Sequence, residues 1–169
     1  MAITTKLNTI EGERVNIILS GNMYYFKYEA EPRNLYFDRF PLVFVLRKRG
    51  RLFEGINFHY MYDKYRTDIL ENMKSFLDED ELSEDTRLRV RAYRQLILTS
   101  RKYRFAKAAF HRYRMENIRS KIIKISPLSW GDIILKEAEK FMLTAGGRKK
   151  SAIVHRETLL KVRGKKING

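Results

Sequence analysis

The sequence predicts an α+β protein: a small SH3-like curled sheet or barrel over about residues 15–61, three to four α-helices, and a basic C-terminal tail. Three observations carry this. Short aromatic and apolar runs, broken by turn residues, fill the first third of the chain. From Asp63 the apolar spacing changes from a period of two to helical spacing. After Gly146-Gly147 the chain becomes polar and basic. The expected organisation is a small β-barrel-like domain over 1–61, a helical region over 62–145 and an extended basic tail over 146–169.

Taken in order, Val15 to Leu19 is apolar and Ser20-Gly21-Asn22 reads as a turn. Met23-Tyr24-Tyr25-Phe26-Lys27-Tyr28 is aromatic-rich and suits a strand. Phe40 to Leu46 is almost continuously apolar, which fits a buried strand bounded by Arg47-Lys48-Arg49-Gly50. Beyond the turn at Arg49-Gly50-Arg51, Ile56, Phe58 and Tyr60 alternate with Asn57 and His59, again a strand. Tyr65, Ile69, Met73 and Phe76 or Leu77 then follow helical spacing. Ser83 offers an N-cap to a helix carrying Leu88, Ala92, Tyr93, Leu96 and Ile97. A further helix is expected over 103–117, with Ala106, Ala109, Phe110 and Tyr113 inward. Residues 120–126 read as strand or link. Ser126-Pro127 opens a last helix through Trp130, Ile133, Ile134, Ala138, Phe141 and Met142, which Gly146-Gly147 would stop. The thin apolar series Ile153, Val154, Leu159, Leu160 and Val162 leaves the remainder as a tail.

The 169 residues carry a net charge of +15, a statement about partners more than about fold. The charge is segregated. Residues 1–86 hold 12 basic and 15 acidic side chains, whereas 87–124 hold 13 basic side chains and the single acid Glu116. Residues 148–169 add eight basic side chains against Glu157 alone. An acidic patch of Glu71, Asp78, Glu79, Asp80, Glu81, Glu84 and Asp85 precedes the basic segment. It either pairs with the basic helices across the fold or faces a partner of its own. The absence of cysteine excludes disulfides, thiolate catalysis and cysteine-based zinc sites. Without a signal-peptide-like opening or a run of about 20 apolar residues, the chain is expected to be soluble and made in a cytoplasm.

Motifs for catalysis are thin. His59, His111 and His155 lie far apart with no metal-site spacing. His59, in an aromatic strand, reads as a packed or hydrogen-bonded core residue. Gly146-Gly147-Arg148-Lys149-Lys150-Ser151 lacks the first glycine of a phosphate loop and reads as a hinge. Glu137-Ala138-Glu139-Lys140 can be forced into a nuclease-like pattern but reads as a solvated helix face. The expectation is a protein that is not an enzyme and uses no cofactor or metal.

The basic segments carry the functional signal. Arg87, Arg91, Arg94, Arg101, Arg104, Lys107, Arg112 and Arg114, then Arg148, Lys149, Lys150, Lys165 and Lys166, are the candidate polyanion- or partner-binding residues. Arginine's planar fork grips phosphates and carboxylates bidentately. Tyr93, Tyr103, Phe105 and Tyr113 are interleaved, which suits stacking on bases. The other reading, a solvated or protein-contacting face with its tyrosines in the core, stands beside it.

Three segments carry a resemblance: Gly21 to Tyr28, Tyr36-Phe37-Asp38-Arg39-Phe40-Pro41-Leu42-Val43, and Gly55-Ile56-Asn57-Phe58-His59-Tyr60. With Arg112-Tyr113, Ile118-Arg119-Ser120, Trp130 and Glu139-Lys140-Phe141, they resemble a family of small proteins of large, contractile-tailed phages. The likeness spans about residues 21–142 and leaves the tail outside. It implies a phage gene product associated with the virion, made in the host cytoplasm. The expected function is a structural or assembly component of neck, tail or baseplate. It would dock through its aromatic sheet and basic helices to other virion proteins or packaged DNA, within a multi-subunit assembly and without a membrane. The alternative is a DNA- or RNA-binding protein acting in replication, packaging or transcription.

Overall fold

The computed structural model describes residues 10–31, 35–77 and 108–162. The strands are β1 (Glu13–Val15), β2 (Met23–Tyr25), β3 (Tyr36–Asp38), β4 (Leu42–Arg49) and β5 (Leu52–Asn57), followed by a 3-10 turn (Phe58–Tyr60) and helix α1 (Asp63–Leu77). After the undescribed segment come β6 (Phe110–Arg114), β7 (Ile122–Ile125), helix α2 (Trp130–Leu135), β8 (Phe141–Leu143), β9 (Arg148–Lys149) and helix α3 (Ser151–Val162).

Six strands form one antiparallel sheet in the order β1-β7-β2-β4-β5-β6. Its end strands do not pair with each other, so the expected barrel is an open sheet. It also draws β6 and β7 from beyond residue 61, so the strands of the N-terminal third are completed by later ones. A second sheet, order β3-β8-β9, is antiparallel and three-stranded.

The continuous apolar run in β4 follows from burial on both faces. Leu42, Phe44 and Leu46 join a core with Met23, Tyr25, Ile56, Ile123 and Ile125, covered by Ile69 and Leu70 of α1, Trp130 and Ile134 of α2, and Val154 of α3. Val43 and Val45 point the other way, into Tyr24, Phe26, Tyr28, Phe53 and Tyr113. Phe26 and Tyr28 meet Tyr113 edge-on at centroid distances of 5.9 and 5.0 Å. That geometry suits aromatic quadrupoles. Trp130 donates from Nε1 to the Ile125 carbonyl at 3.1 Å and meets Phe44 edge-on at 5.5 Å.

Helix α1 begins at Asp63, where the spacing predicts it. Three other expectations are corrected. Residues 110–114 are a strand, not part of a helix over 103–117, because Phe53 to Ile56 supply a partner edge in register with Phe110 to Tyr113. The last expected helix is short: α2 ends at Leu135, and Phe141 instead pairs with Asp38 in the second sheet. The tail is not extended over 146–162. Gly146 and Gly147 have φ of 99° and 94° and turn β8 into β9, and α3 follows. Its inner face is Val154, His155 and Thr158, two of them polar, which hides its amphipathicity in the sequence. The expected helix over Leu88 to Ile97, and residues 103–107 and 163–169, lie outside the described residues.

Candidate nucleic-acid interface

β4 and β5 are joined by a two-residue turn, Gly50-Arg51, in which Gly50 has φ of 58°. Glycine at the first turn position suits the tight hairpins whose twist matches that of the strands. The turn carries Arg47, Lys48, Arg49 and Arg51 to an exposed crest. β6 lies beside β5 and adds Arg112 and Arg114, whose side chains point outward while Tyr113 points into the core.

One carboxylate organises the base of this crest. Glu54 faces Arg47 across one strand pair and Arg112 across the other. Arg47 Nη2 and Arg112 Nη2 donate to it at 2.6 and 2.7 Å, and both Nε groups donate as well. Hydrogen bonds from Arg47 and then Arg112 hold its carboxyl below the usual range. The two guanidinium groups together outweigh that one negative charge. Their side chains remain 54% and 67% exposed, leaving N–H groups for another anion. Further along, Glu116 is shared by Arg51 at 3.5 Å and Arg114 at 3.7 Å, with Glu31 also 3.2 Å from Arg114. Among the described residues, no carboxylate lies within ion-pair distance of Lys48 or Arg49.

The expected contact residues therefore separate. Arg112 and Arg114 stand on the crest, but on a strand and with internal carboxylate partners. Arg148 and Lys150 are exposed around β9, on the second sheet. Lys149 is drawn inward: its Nζ pairs with Glu157 at 2.8 Å and sits 4.0 Å from the Tyr36 ring centroid. Burial and Glu157 push the Tyr36 hydroxyl up to about 12. Arg87, Arg91, Arg94, Arg101, Arg104, Lys107, Lys165 and Lys166 lie outside the described residues. Arg47, Lys48, Arg49 and Arg51 were not among the candidate residues of the sequence, and the fold places them beside Arg112 and Arg114. Their signal was present, since four cations surround one glycine, but it was absorbed as turn composition.

Beside β6 lies a cavity of about 280 Å³, walled by Tyr28, Tyr36, Phe37 and His111, with Arg112 and Lys161 at its edge. Asp38 fixes its floor. Its Oδ2 accepts from Asn57 Nδ2 at 3.1 Å and lies 2.7 Å from His59 Nδ1, and its Oδ1 accepts from the Phe40 amide at 3.0 Å. Asn57 Nδ2 also donates to the Tyr113 hydroxyl at 3.0 Å. The Asp38 and His59 side chains are each 1% exposed. This pair ties β3 to the 3-10 turn. His59 is thus a hydrogen-bonded core residue, as its sequence context suggests, but the expected strand over Ile56 to Tyr60 ends at Asn57 and His59 lies in the 3-10 turn, its amide held by the Asn57 side chain.

Glu139 departs from its expected solvated helix face. It lies on the connection after α2, is buried, and stands 3.6 Å from Arg66 Nη2. Arg66, itself fully buried, donates from Nε to the Met61 carbonyl at 2.9 Å and from Nη2 to the His59 carbonyl at 3.3 Å. Among the described residues no group of three or more His, Asp and Glu side chains could hold a metal ion. No described helix is long and apolar enough to cross a membrane.

A basic crest above a closed core says what kind of surface this is without saying whose. The family model for the phage T4 terminal DNA protecting protein matches residues 3–158. The chain belongs to that family. The phage resemblance of the sequence is thereby placed in a T4-like, contractile-tailed phage family, and the match runs well past the segment 21–142 at both ends. It takes in the crest, both sheets and most of α3. Comparison with curated proteins and with solved structures finds no match.

Proposed function

We propose that this chain is a non-enzymatic phage protein that binds the ends of DNA and shields them from exonucleases. The observation that supports it is the crest: six cations gathered over three carboxylates, Glu31, Glu54 and Glu116, in a chain whose family is named for protecting terminal DNA. Arginine forks that are half-committed internally keep a fixed geometry, so phosphate binding costs them little extra ordering. Lys48, Arg49, Arg51, Arg112 and Arg114 would meet the backbone from the crest, and Arg148, Lys149 and Lys150 from the second sheet. Arg87, Arg91, Arg94, Arg101, Arg104 and Lys107 would add the densest charge of the sequence, and Lys165 and Lys166 would extend the grip. The protein would travel with packaged DNA in the virion, against other head, neck or tail subunits.

The test is exonuclease protection. Linear duplex incubated with the protein at low salt should survive a processive exonuclease. A nicked circle should compete for the protein less well than linear DNA of equal length. Loss of protection at every salt concentration, or equal competition by circle and linear DNA, overturns the reading. Mass spectrometry of purified particles tests the virion placement, where fixed copy number is expected.

A further inference from the structure

The cavity beside β6 has a neighbour. A second cavity of about 350 Å³ is lined by Lys27, Arg39, Met142, Leu143 and Thr144. The two share one wall, made of Tyr28, Ala30 and Phe37. Each volume lies near the low end of small-molecule sites, roughly 300–1,000 Å³, which is room for one nucleotide and little more. Each has aromatic or apolar walls, two cations and one carboxylate: Arg112, Lys161 and Asp38 line the first, Lys27, Arg39 and Glu29 the second. Both carboxylates are already engaged, Asp38 by Asn57 and His59 and Glu29 by Arg119 at 3.3 Å, so the cations are not spent on them. An aromatic partition flanked by paired cations is the arrangement that single-stranded nucleic acid uses, with bases on rings and phosphates on charges.

Two details of the first cavity favour a base over a purely apolar guest. His111 stacks on Tyr60 at 4.0 Å, and its Nε2 is buried without a hydrogen-bond partner. A buried acceptor in that state is costly, and a small turn of the ring towards the cavity would let an N–H from a bound base satisfy it. Burial, followed by the nearby Lys161, pushes the His111 imidazole down to about 4, so at neutral pH it is an acceptor and not a competing cation. Phe37 and Tyr36 are half-buried, so ring surface remains for stacking.

We infer that the twin cavities hold the last one or two unpaired nucleotides of a DNA end, with Phe37 and Tyr28 as the partition between successive bases and Arg112, Lys161, Lys27 and Arg39 on the intervening phosphates. This rests on the DNA-terminus reading and deepens it: the protein grips the frayed end of the strand while the crest holds the duplex behind it.

The experiment uses the full chain and three DNAs: a blunt duplex, the same duplex with a two-nucleotide overhang ending in 5-iododeoxyuridine, and a nicked circle. Anisotropy should show the overhang bound about tenfold more tightly than the blunt end, a typical effect of stacking one base on an aromatic ring. Irradiation should cross-link the terminal base to Tyr28, Tyr36, Phe37 or His111, mapped by mass spectrometry on the unaltered protein. Phe37→Ala and, independently, Lys161→Glu, an exposed residue of α3 at the cavity, should remove the overhang preference and leave blunt-end affinity within about twofold. Cross-links confined to other residues, or an overhang preference that survives both variants, overturn the cavity assignment while leaving end binding intact. Equal binding of the nicked circle and both linear duplexes overturns the terminus reading and this inference together. Displacement of the overhang by micromolar thymidine monophosphate also overturns it, since the cavities would then serve free nucleotides.

Discussion

At the scale of single residues, Arg66 is a fully buried arginine with four partners. It joins α1 to the 3-10 turn, to the carbonyl of Ile134 at 3.4 Å and to Glu139. Removing one partner of a buried pair leaves the other uncompensated, at a cost of about 3–5 kcal/mol. Arg66→Ala should therefore lower the urea midpoint sharply, and adding Glu139→Gln should recover part of the loss. Helical spacing places Arg66 beside the stripe of Tyr65, Ile69 and Met73 and its exposed neighbour Lys64 on the opposite face, but a lone arginine at the border of a stripe reads as a surface charge, so its burial was not legible. His111 yields a prediction with a sign. Burial penalises its charged form, so the folded chain resists the proton down to about pH 4, whereas the unfolded chain accepts it near 6.5. The stabilisation is complete above 6.5 and is lost as pH falls towards 4, by at most about 3 kcal/mol. His155 is shifted the same way, by burial first. Urea midpoints between pH 7.5 and 4.5 should fall, and His111→Phe, which keeps a ring against Tyr60, should flatten part of that fall.

At the scale of elements, the β4–β5 pair fixes the crest, and its tightest point is Gly55. A Cβ there would run into the Phe44 carbonyl oxygen and stand 2.7 Å from Val43 Cγ1, next to the register shift between Val45 and Arg47. Backbone cannot yield as a flexible side chain does, so Gly55→Ala should cost about 1–3 kcal/mol or more. It should also disturb the Arg47–Glu54–Arg112 alignment, visible as chemical-shift changes in both guanidinium groups. β4 was legible as a continuous apolar run because both of its faces are buried, in two cores, whereas the alternation of Ile56, Phe58 and Tyr60 marked β5 but ran on into the 3-10 turn, where all three side chains still enter one core. β6 was not legible. Ala109, Phe110 and Tyr113 also satisfy helical spacing, and what makes them a strand is the open edge of β5, more than fifty positions earlier in the chain. The second sheet escaped for the same reason: β3 and β8 have only three residues each and gain their meaning from each other. Helix α3 escaped because a histidine and a threonine occupy its buried face.

At the scale of the whole molecule, the segregated charge was plain in the sequence, while its use was not. The described arginines largely meet carboxylates of the chain itself, as Arg119 does with Glu29 at 3.3 Å. Net charge alone therefore overstates what is offered outward; among the described residues, Lys48 and Arg49 at the hairpin tip and Arg148 and Lys150 around β9 are exposed cations with no carboxylate within ion-pair distance. This gives a quantitative expectation. Each phosphate contact adds about 0.9 to the slope of log affinity against log salt for duplex DNA. Changing Lys48, Arg49 and Arg51 together to Ala should lower that slope by about 2–3 and weaken blunt-duplex binding at low salt, while the exposed positions leave the fold intact. Arg112→Ala should behave differently. It unbinds half of the grip on Glu54 and frees a negative charge at the base of the crest, so affinity should drop more than one lost contact explains. Removing that charge with Glu54→Gln in the same chain, which returns the group of residues 47, 54 and 112 to its original net charge, should return part of it. If the tip variant kept the full salt slope, the crest would not be where duplex DNA lies, and the binding charge would have to reside elsewhere, in 87–107, whose basic residues outnumber those of the hairpin, or in the basic residues of 148–169.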